Sequence, residues 1–176
     1  MTLRAHSSGF TMIELIVVVT ILGLLASVVV PNLDGISPKY RLRSAARTIG
    51  QNIGWARSLG GGVGDEYVLR YDLGESTLSI ILPPGIDGDP DLDVDMRETM
   101  GVQILPEGIV ISKILHPDGM SDEYGIVDIV LDEYGTTGSH IAVVRNEEDT
   151  TIAVYFEAII GSIQYMPGED AEFPRW

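Results

Sequence analysis

Apolar residues crowd toward the start of the chain. From Leu15 to Leu33 no residue is charged, and most are Leu, Ile or Val. Residues 10–30 drawn as a helix would measure roughly 32 Å, enough to cross the hydrocarbon core of a bilayer. The run is apolar on every face, which speaks against a buried helix of a soluble domain. A secretory signal peptide would have a shorter apolar stretch with small residues after it. Here Ser7, Ser8 and Gly9 come before the run. Residues 1–9 (MTLRAHSSG) read as a short polar leader whose one firm positive charge is Arg4.

Pro31, Gly35 and Pro38 follow and should kink or interrupt the helix between Val30 and Lys39. A second helical stretch runs from about Pro38 to Leu59. Its Leu42, Ala45, Ala46, Ile49, Ile53 and Ala56 recur at steps of three and four, so they share one face. Lys39, Arg41, Arg43, Arg47 and Arg57 decorate the same segment. Gly60, Gly61, Gly62 and Gly64 are expected to end it.

The remainder, residues 63–176, reads as β structure. Glu66–Tyr71 and Thr77–Leu82 flank a turn at Asp72–Glu75 and predict a hairpin. Residues 83–101, rich in Pro, Gly and Asp, read as a long loop. Further strands are expected at Ile109–Leu115, Gly125–Leu131, His140–Arg145, Thr151–Ala158 and Ser162–Met166, with a frayed tail beyond. A long helix followed by runs of strands, with no βαβ alternation, gives an antiparallel α+β fold.

Composition narrows the function. The 176 residues carry 11 Lys and Arg against 26 Asp and Glu, a formal charge of −15. Such a chain has no general basic surface for nucleic acid, and a cationic partner or divalent ions suit it better. No cysteine is present, which excludes disulfides, Cys-based metal sites and thiol catalysis. His116 and His140 fall in loop or strand-edge contexts without a spaced partner ligand, and no phosphate loop or nucleophile motif occurs. An enzyme is not indicated, and no cofactor is called for apart from the calcium option below.

One charged residue, Glu14, stands at the head of the apolar run, where an ionised carboxylate in hydrocarbon costs a few kcal/mol. Alone it could stay hydrated at the interface. In context, Gly9-Phe10-Thr11-Met12-Ile13-Glu14-Leu15, the apolar run and Pro31 resemble the type III signal sequence of the type IV pilin and pseudopilin superfamily. The resemblance covers residues 9–31. It implies a pilin-like fold: a long N-terminal helix, membrane-spanning over 10–30 and kinked and amphipathic over 31–62, then an antiparallel β domain. It also implies cleavage by a prepilin peptidase between Gly9 and Phe10, N-methylation of Phe10, and pairing of Glu14 with the Phe10 amine of a neighbouring subunit. The implied partners are other pilins or pseudopilins, the peptidase, an inner-membrane assembly platform and membrane lipid, not nucleic acid. The implied location is the inner membrane, single-pass, with the C-terminal domain outside the cytoplasm. The positive-inside rule opposes that orientation, because Lys39, Arg41, Arg43 and Arg47 outnumber Arg4.

Shorter segments are similar to H-type minor pseudopilins of type II secretion and related minor pilins. These are Leu105-Pro106-Glu107-Gly108-Ile109, Leu131 to Gly138, Gly161-Ser162-Ile163, Ala45-Ala46-Arg47 and Ala56-Arg57-Ser58. One further pattern stands apart. Asp87, Asp89, Asp91, Asp93, Asp95 and Glu98 follow the ligand spacing of an EF-hand loop, so Ca²⁺ is a candidate ligand. Leu92 occupies the position where such loops need Gly, and Pro90 stiffens the chain, so a solvated acidic loop is the competing reading. Two functions therefore remain at this point: a structural filament subunit, or a membrane-anchored extracytoplasmic binding domain that does not polymerise, with Ca²⁺ dependence as one option for it.

Overall fold

The computed structural model describes residues 10–29, 38–63, 65–85, 91–168 and 171–173. The chain divides into two compact units, Met1–Ile36 and Ser37–Trp176. The first contains helix α1 (Met12–Val29). It begins two residues after the start of the 10–30 span expected from the sequence, whose last residue lies outside the described residues. Among the described residues no helix is long and apolar enough to cross a membrane. The 18 residues of α1 measure about 27 Å, against about 30 Å of hydrocarbon. The expected interruption around Pro31 and Gly35 lies outside the described residues.

The second unit is built on helix α2 (Pro38–Val63), with Pro38 in the first turn, where its missing N–H costs nothing. All six residues of the apolar face read from the sequence are at most 1% exposed. The helix does not stop at Leu59 but continues through three glycines to Val63. Each glycine costs about 1 kcal/mol of helix propensity. A side chain at Gly60 would be in ordinary contact with the backbone oxygens of Asp132 and Asp65, at 3.4 and 3.5 Å, and one at Gly61 would meet nothing within 4 Å.

Among the described residues nine strands follow in two antiparallel sheets. The first sheet orders β3 (Thr99–Ile104), β2 (Thr77–Ile81), β1 (Tyr67–Asp72) and β6 (Ile126–Leu131). The second orders β5 (Ser121–Asp122), β4 (Ile109–Leu115), β7 (His140–Asn146), β8 (Thr151–Glu157) and β9 (Ser162–Pro167). The β1–β2 hairpin closes where Asp72 Oδ1 accepts the N–H groups of Gly74 and Glu75 at 2.9 and 3.0 Å, a side-chain-built turn. Strand β6 alternates cleanly, with Val127, Ile129 and Leu131 buried and Ile126, Asp128 and Val130 exposed.

The main core lies between α2 and the inner faces of both sheets, joining Ile49 and Ile53 to Leu69, Leu78, Val144 and Phe156. A smaller cluster covers the other face of the second sheet: Ile141, Val143, Ala153 and Tyr155 beneath Ala171 and Phe173. The tail is therefore not frayed over 171–173, because Phe173 meets Tyr155 edge-to-face at 5.5 Å between ring centroids. The long loop expected over 83–101 is also corrected. It contains a 3₁₀ turn (Val94–Met96) and its last residues begin β3, an edge strand bent by Gly101 at φ +63°. A side chain on Gly101 would strike the Trp55 ring of α2 at 2.6 Å.

Candidate functional site

The N-terminal segment is a helix with a defined beginning. Thr11 Oγ1 accepts the N–H of Glu14 at 3.3 Å, and Thr11 O accepts that of Leu15 at 3.2 Å. Thr11-x-x-Glu14 is the capping-box pattern, and it fixes Glu14 in the first turn, where the helix dipole favours a negative charge. Phe10 precedes the helix and is 71% exposed. From Met12 to Leu25, eleven large apolar side chains are exposed, on all sides of the helix. Thr20 returns its hydroxyl to Ile16 O at 2.8 Å, so it presents no unmet polar group. Fully burying a side chain of this kind is worth about 1.5–3 kcal/mol, so the set amounts to roughly 15–30 kcal/mol. A helix apolar all round, with one carboxylate at its head, suits an apolar environment along its body. Gly9 and Pro31, the other two positions singled out here, lie outside the described residues.

On the second unit, two arginines of α2 seize the segments whose sequence resembled minor pseudopilins. Arg41 Nη1 donates to Glu107 O at 3.0 Å, in the turn before β4. Arg57 Nε donates to Gly135 O at 3.4 Å, in the β6–β7 turn. Gly135 (φ +65°) and Gly161 (φ +66°) both face Arg57, and a side chain at Gly161 would meet its guanidinium at 2.5 Å. The β6–β7 turn is itself locked by Asp132. Its carboxylate accepts from Thr136 N and Oγ1, each at 2.6 Å, and from Thr137 N at 3.1 Å. The hydrogen bond from Thr136 is the main reason the Asp132 carboxyl is held below its ordinary range. These residues dock the turns of both sheets onto one helix; they form no reactive centre.

His140 bridges the sheets from within. It is wholly buried rather than at a strand edge in solvent. Its Nδ1 lies 2.6 Å from Gly138 O and its Nε2 2.7 Å from the Tyr71 hydroxyl. The imidazole is then neutral, donating from Nδ1 to the carbonyl and accepting at Nε2 from the phenol. Desolvation lowers its pKa to about 4 and pushes that of Tyr71 well above its usual value. With the ring buried and both nitrogens hydrogen-bonded, His140 is a structural residue.

The acidic segment is tied down by arginines. Arg70 on β1 makes a two-pronged pair with Asp128 on β6 at 2.7 and 2.6 Å, and also meets Asp95 at 2.7 Å. Asp128, with Asp95 behind it, raises the Arg70 pKa further above its ordinary value. Arg97 donates to Leu92 O at 3.1 Å and reaches Glu66 at 3.6 Å. Asp93 caps the 3₁₀ turn by accepting from Asp95 N at 3.2 Å. The backbone carbonyl of Glu98 accepts from Leu82 N at 2.8 Å. Asp91 is described, whereas Asp87 and Asp89 lie outside the described residues. Among the described residues no three His, Asp or Glu side chains converge as metal ligands. The clamp of Arg70 on Asp95 was not legible from spacing; the signal was an arginine alternating with apolar residues in a strand of an acidic chain.

Comparison with known proteins agrees with this division. The prokaryotic N-terminal methylation motif matches residues 4–30. No curated protein matches the chain. Among solved structures, a crystal structure of the minor pseudopilin EpsH of the Vibrio cholerae type II secretion system aligns with a TM-score of 0.58. That alignment has 13% identity and covers 75% of this chain and 100% of that one. A second EpsH structure aligns at 0.50, with 12% identity over 72% and 97%. The type IV minor pilin FimU of Pseudomonas aeruginosa is further off, at 0.46, with 14% identity over 76% and 94%. The chain thus joins the methylation motif to an α+β pilin-like fold.

Proposed function

We propose that the chain is a minor pseudopilin-like structural subunit of a type II secretion pseudopilus or a type IV pilus-like filament. The observation that carries this is the conjunction of α1, apolar all round with Glu14 at its capped head, and a domain of EpsH-like fold. In this reading residues 1–9 are a leader removed by a prepilin peptidase after Gly9. The new Phe10 amine is methylated. α1 first anchors the subunit in the inner membrane, with the β domain outside the cytoplasm, and then packs among the α1 helices of sibling subunits.

Glu14 supplies the counter-charge for a neighbour's Phe10 amine. Two unit charges about 4 Å apart at an effective dielectric near 20 attract by roughly 4 kcal/mol before desolvation. An unpaired Glu14 in that packing would be penalised, so the pair fixes register as well as affinity. The leader must go first, because its removal creates the amine. Mass spectrometry of membrane-extracted protein tests the reading: it expects a chain starting at methylated Phe10, and an intact Met1 would refute it. A topology reporter fused after Trp176 should read extracytoplasmic, and a cytoplasmic signal would end the orientation argued here. Replacement of Gly9 should block processing and assembly together; activity that survives it would favour a non-polymerising binding domain.

A further inference from the structure

The second unit holds a groove of about 500 Å³ between the first turns of α2 and the edge formed by β8 and β9. Its floor is apolar, including Leu42, Ile152 and Met166. Its rim carries Lys39, Arg43 and Arg47, at four-residue steps on one side of the helix. Among the described residues none of these three has a carboxylate partner. Among the described residues no acidic side chain lines the groove. That is unexpected in a chain with 26 Asp and Glu against 11 Lys and Arg. Three unpaired cations over a greasy floor match an amphiphile with an anionic head.

We infer that this groove takes an anionic phospholipid, its phosphate on Lys39, Arg43 and Arg47 and the upper part of an acyl chain on the floor. The inference rests on the reading of α1 as a membrane anchor. The eight residues 30–37 separate α1 from α2, and such a connection reaches at most about 30 Å. Headgroups are therefore within reach of the groove before assembly. Elsewhere the acidic domain is repelled by an anionic surface, so this rim decides which face turns to the bilayer. It also gives the cations that flout the positive-inside rule a ligand on the side where the orientation puts them.

The experiment uses the full chain, which lacks cysteine, so Thr150→Cys at the groove carries a single fluorophore. The protein is placed in nanodiscs of phosphatidylcholine, with or without phosphatidylglycerol, containing headgroup-nitroxide quencher lipid. Quenching should be stronger in the anionic discs and should fade at about 1 M salt, where the Debye length falls to about 3 Å. The triple variant K39Q/R43Q/R47Q should lower the ratio of docked to undocked domain roughly a hundredfold, about fivefold per cation. K113Q, outside the groove, should leave it unchanged. Equal quenching in both lipids, an unaffected triple variant, or shielding that appears only when a sibling subunit is added would overturn the inference while leaving the anchor intact. A chain that fails to enter the discs at all would overturn the anchor reading, and this inference with it.

Discussion

The buried His140 makes the stability of the β domain depend on pH in a window where most carboxylates remain ionised. In the unfolded chain the imidazole titrates near 6.5; in the fold its pKa is about 4, because burial disfavours the charged form. At pH values between these the unfolded chain binds more protons than the folded one. Stability is therefore complete above about 6.5 and falls as pH drops toward 4. Linkage at about 1.36 kcal/mol per pKa unit gives a loss of about 2 kcal/mol by pH 5 and about 3 kcal/mol by pH 4. The variant His140→Gln removes the titration and keeps a group able to donate to Gly138 O and accept from Tyr71. Urea unfolding of the detergent-solubilised chain, followed by tryptophan fluorescence at pH 7 and pH 5, measures both slopes. The wild type should lose about 2 kcal/mol more than His140→Gln over that interval. Equal losses would show that the imidazole is not held neutral in the core, and the bridging hydrogen bonds assigned to it would fall with that result.

Other outcomes follow from particular contacts. Tyr71→Phe leaves Nε2 of His140 without a donor and should cost about 1–3 kcal/mol at neutral pH by the same urea assay. Gly161→Ala forces a side chain into φ +66° and against Arg57, and should lower Tm by several degrees for a loss of about 2 kcal/mol. The companion variant Arg57→Ala in the same background should recover the part due to collision. Glu14→Gln should leave the unfolding curve of the β domain unchanged yet abolish incorporation into filaments, scored by shearing and blotting. If the acidic segment takes Ca²⁺, millimolar Ca²⁺ raises Tm by mass action and Asp91→Asn reduces the rise; a flat titration disposes of the metal.

The parts of this fold governed by periodicity could be read in advance. The face Leu42, Ala45, Ala46, Ile49, Ile53, Ala56 was legible because helix spacing repeats whatever the partner, and seven of the strands lay close to where alternation and turns set them. Strand β3 was not legible. Only Met100 packs against the core, Gly101 breaks the alternation, and its pairing with β2 is supplied by the register of a strand about twenty residues earlier. The burial of His140 was equally hidden, because it needs a phenol from the other sheet. At the N-terminus the situation reverses. The methylation motif over residues 4–30 is contiguous in the chain, so it is read without tertiary context. The salt links of Asp95 and the groove beside α2 arise only when distant segments meet.

The single helix shared by two sheets has a mechanical meaning. A tug arriving at Pro38 would load α2 lengthwise, and its small, closely fitted Ala and Ile face would slide against both sheets at once. Resistance in such shear is summed over the whole row, whereas a hairpin pulled at its tip opens one rung at a time. Force applied at Pro38 is thus shared along the whole row, and an optical trap pulling from Pro38 should record a higher rupture force than one pulling across the β1–β2 hairpin.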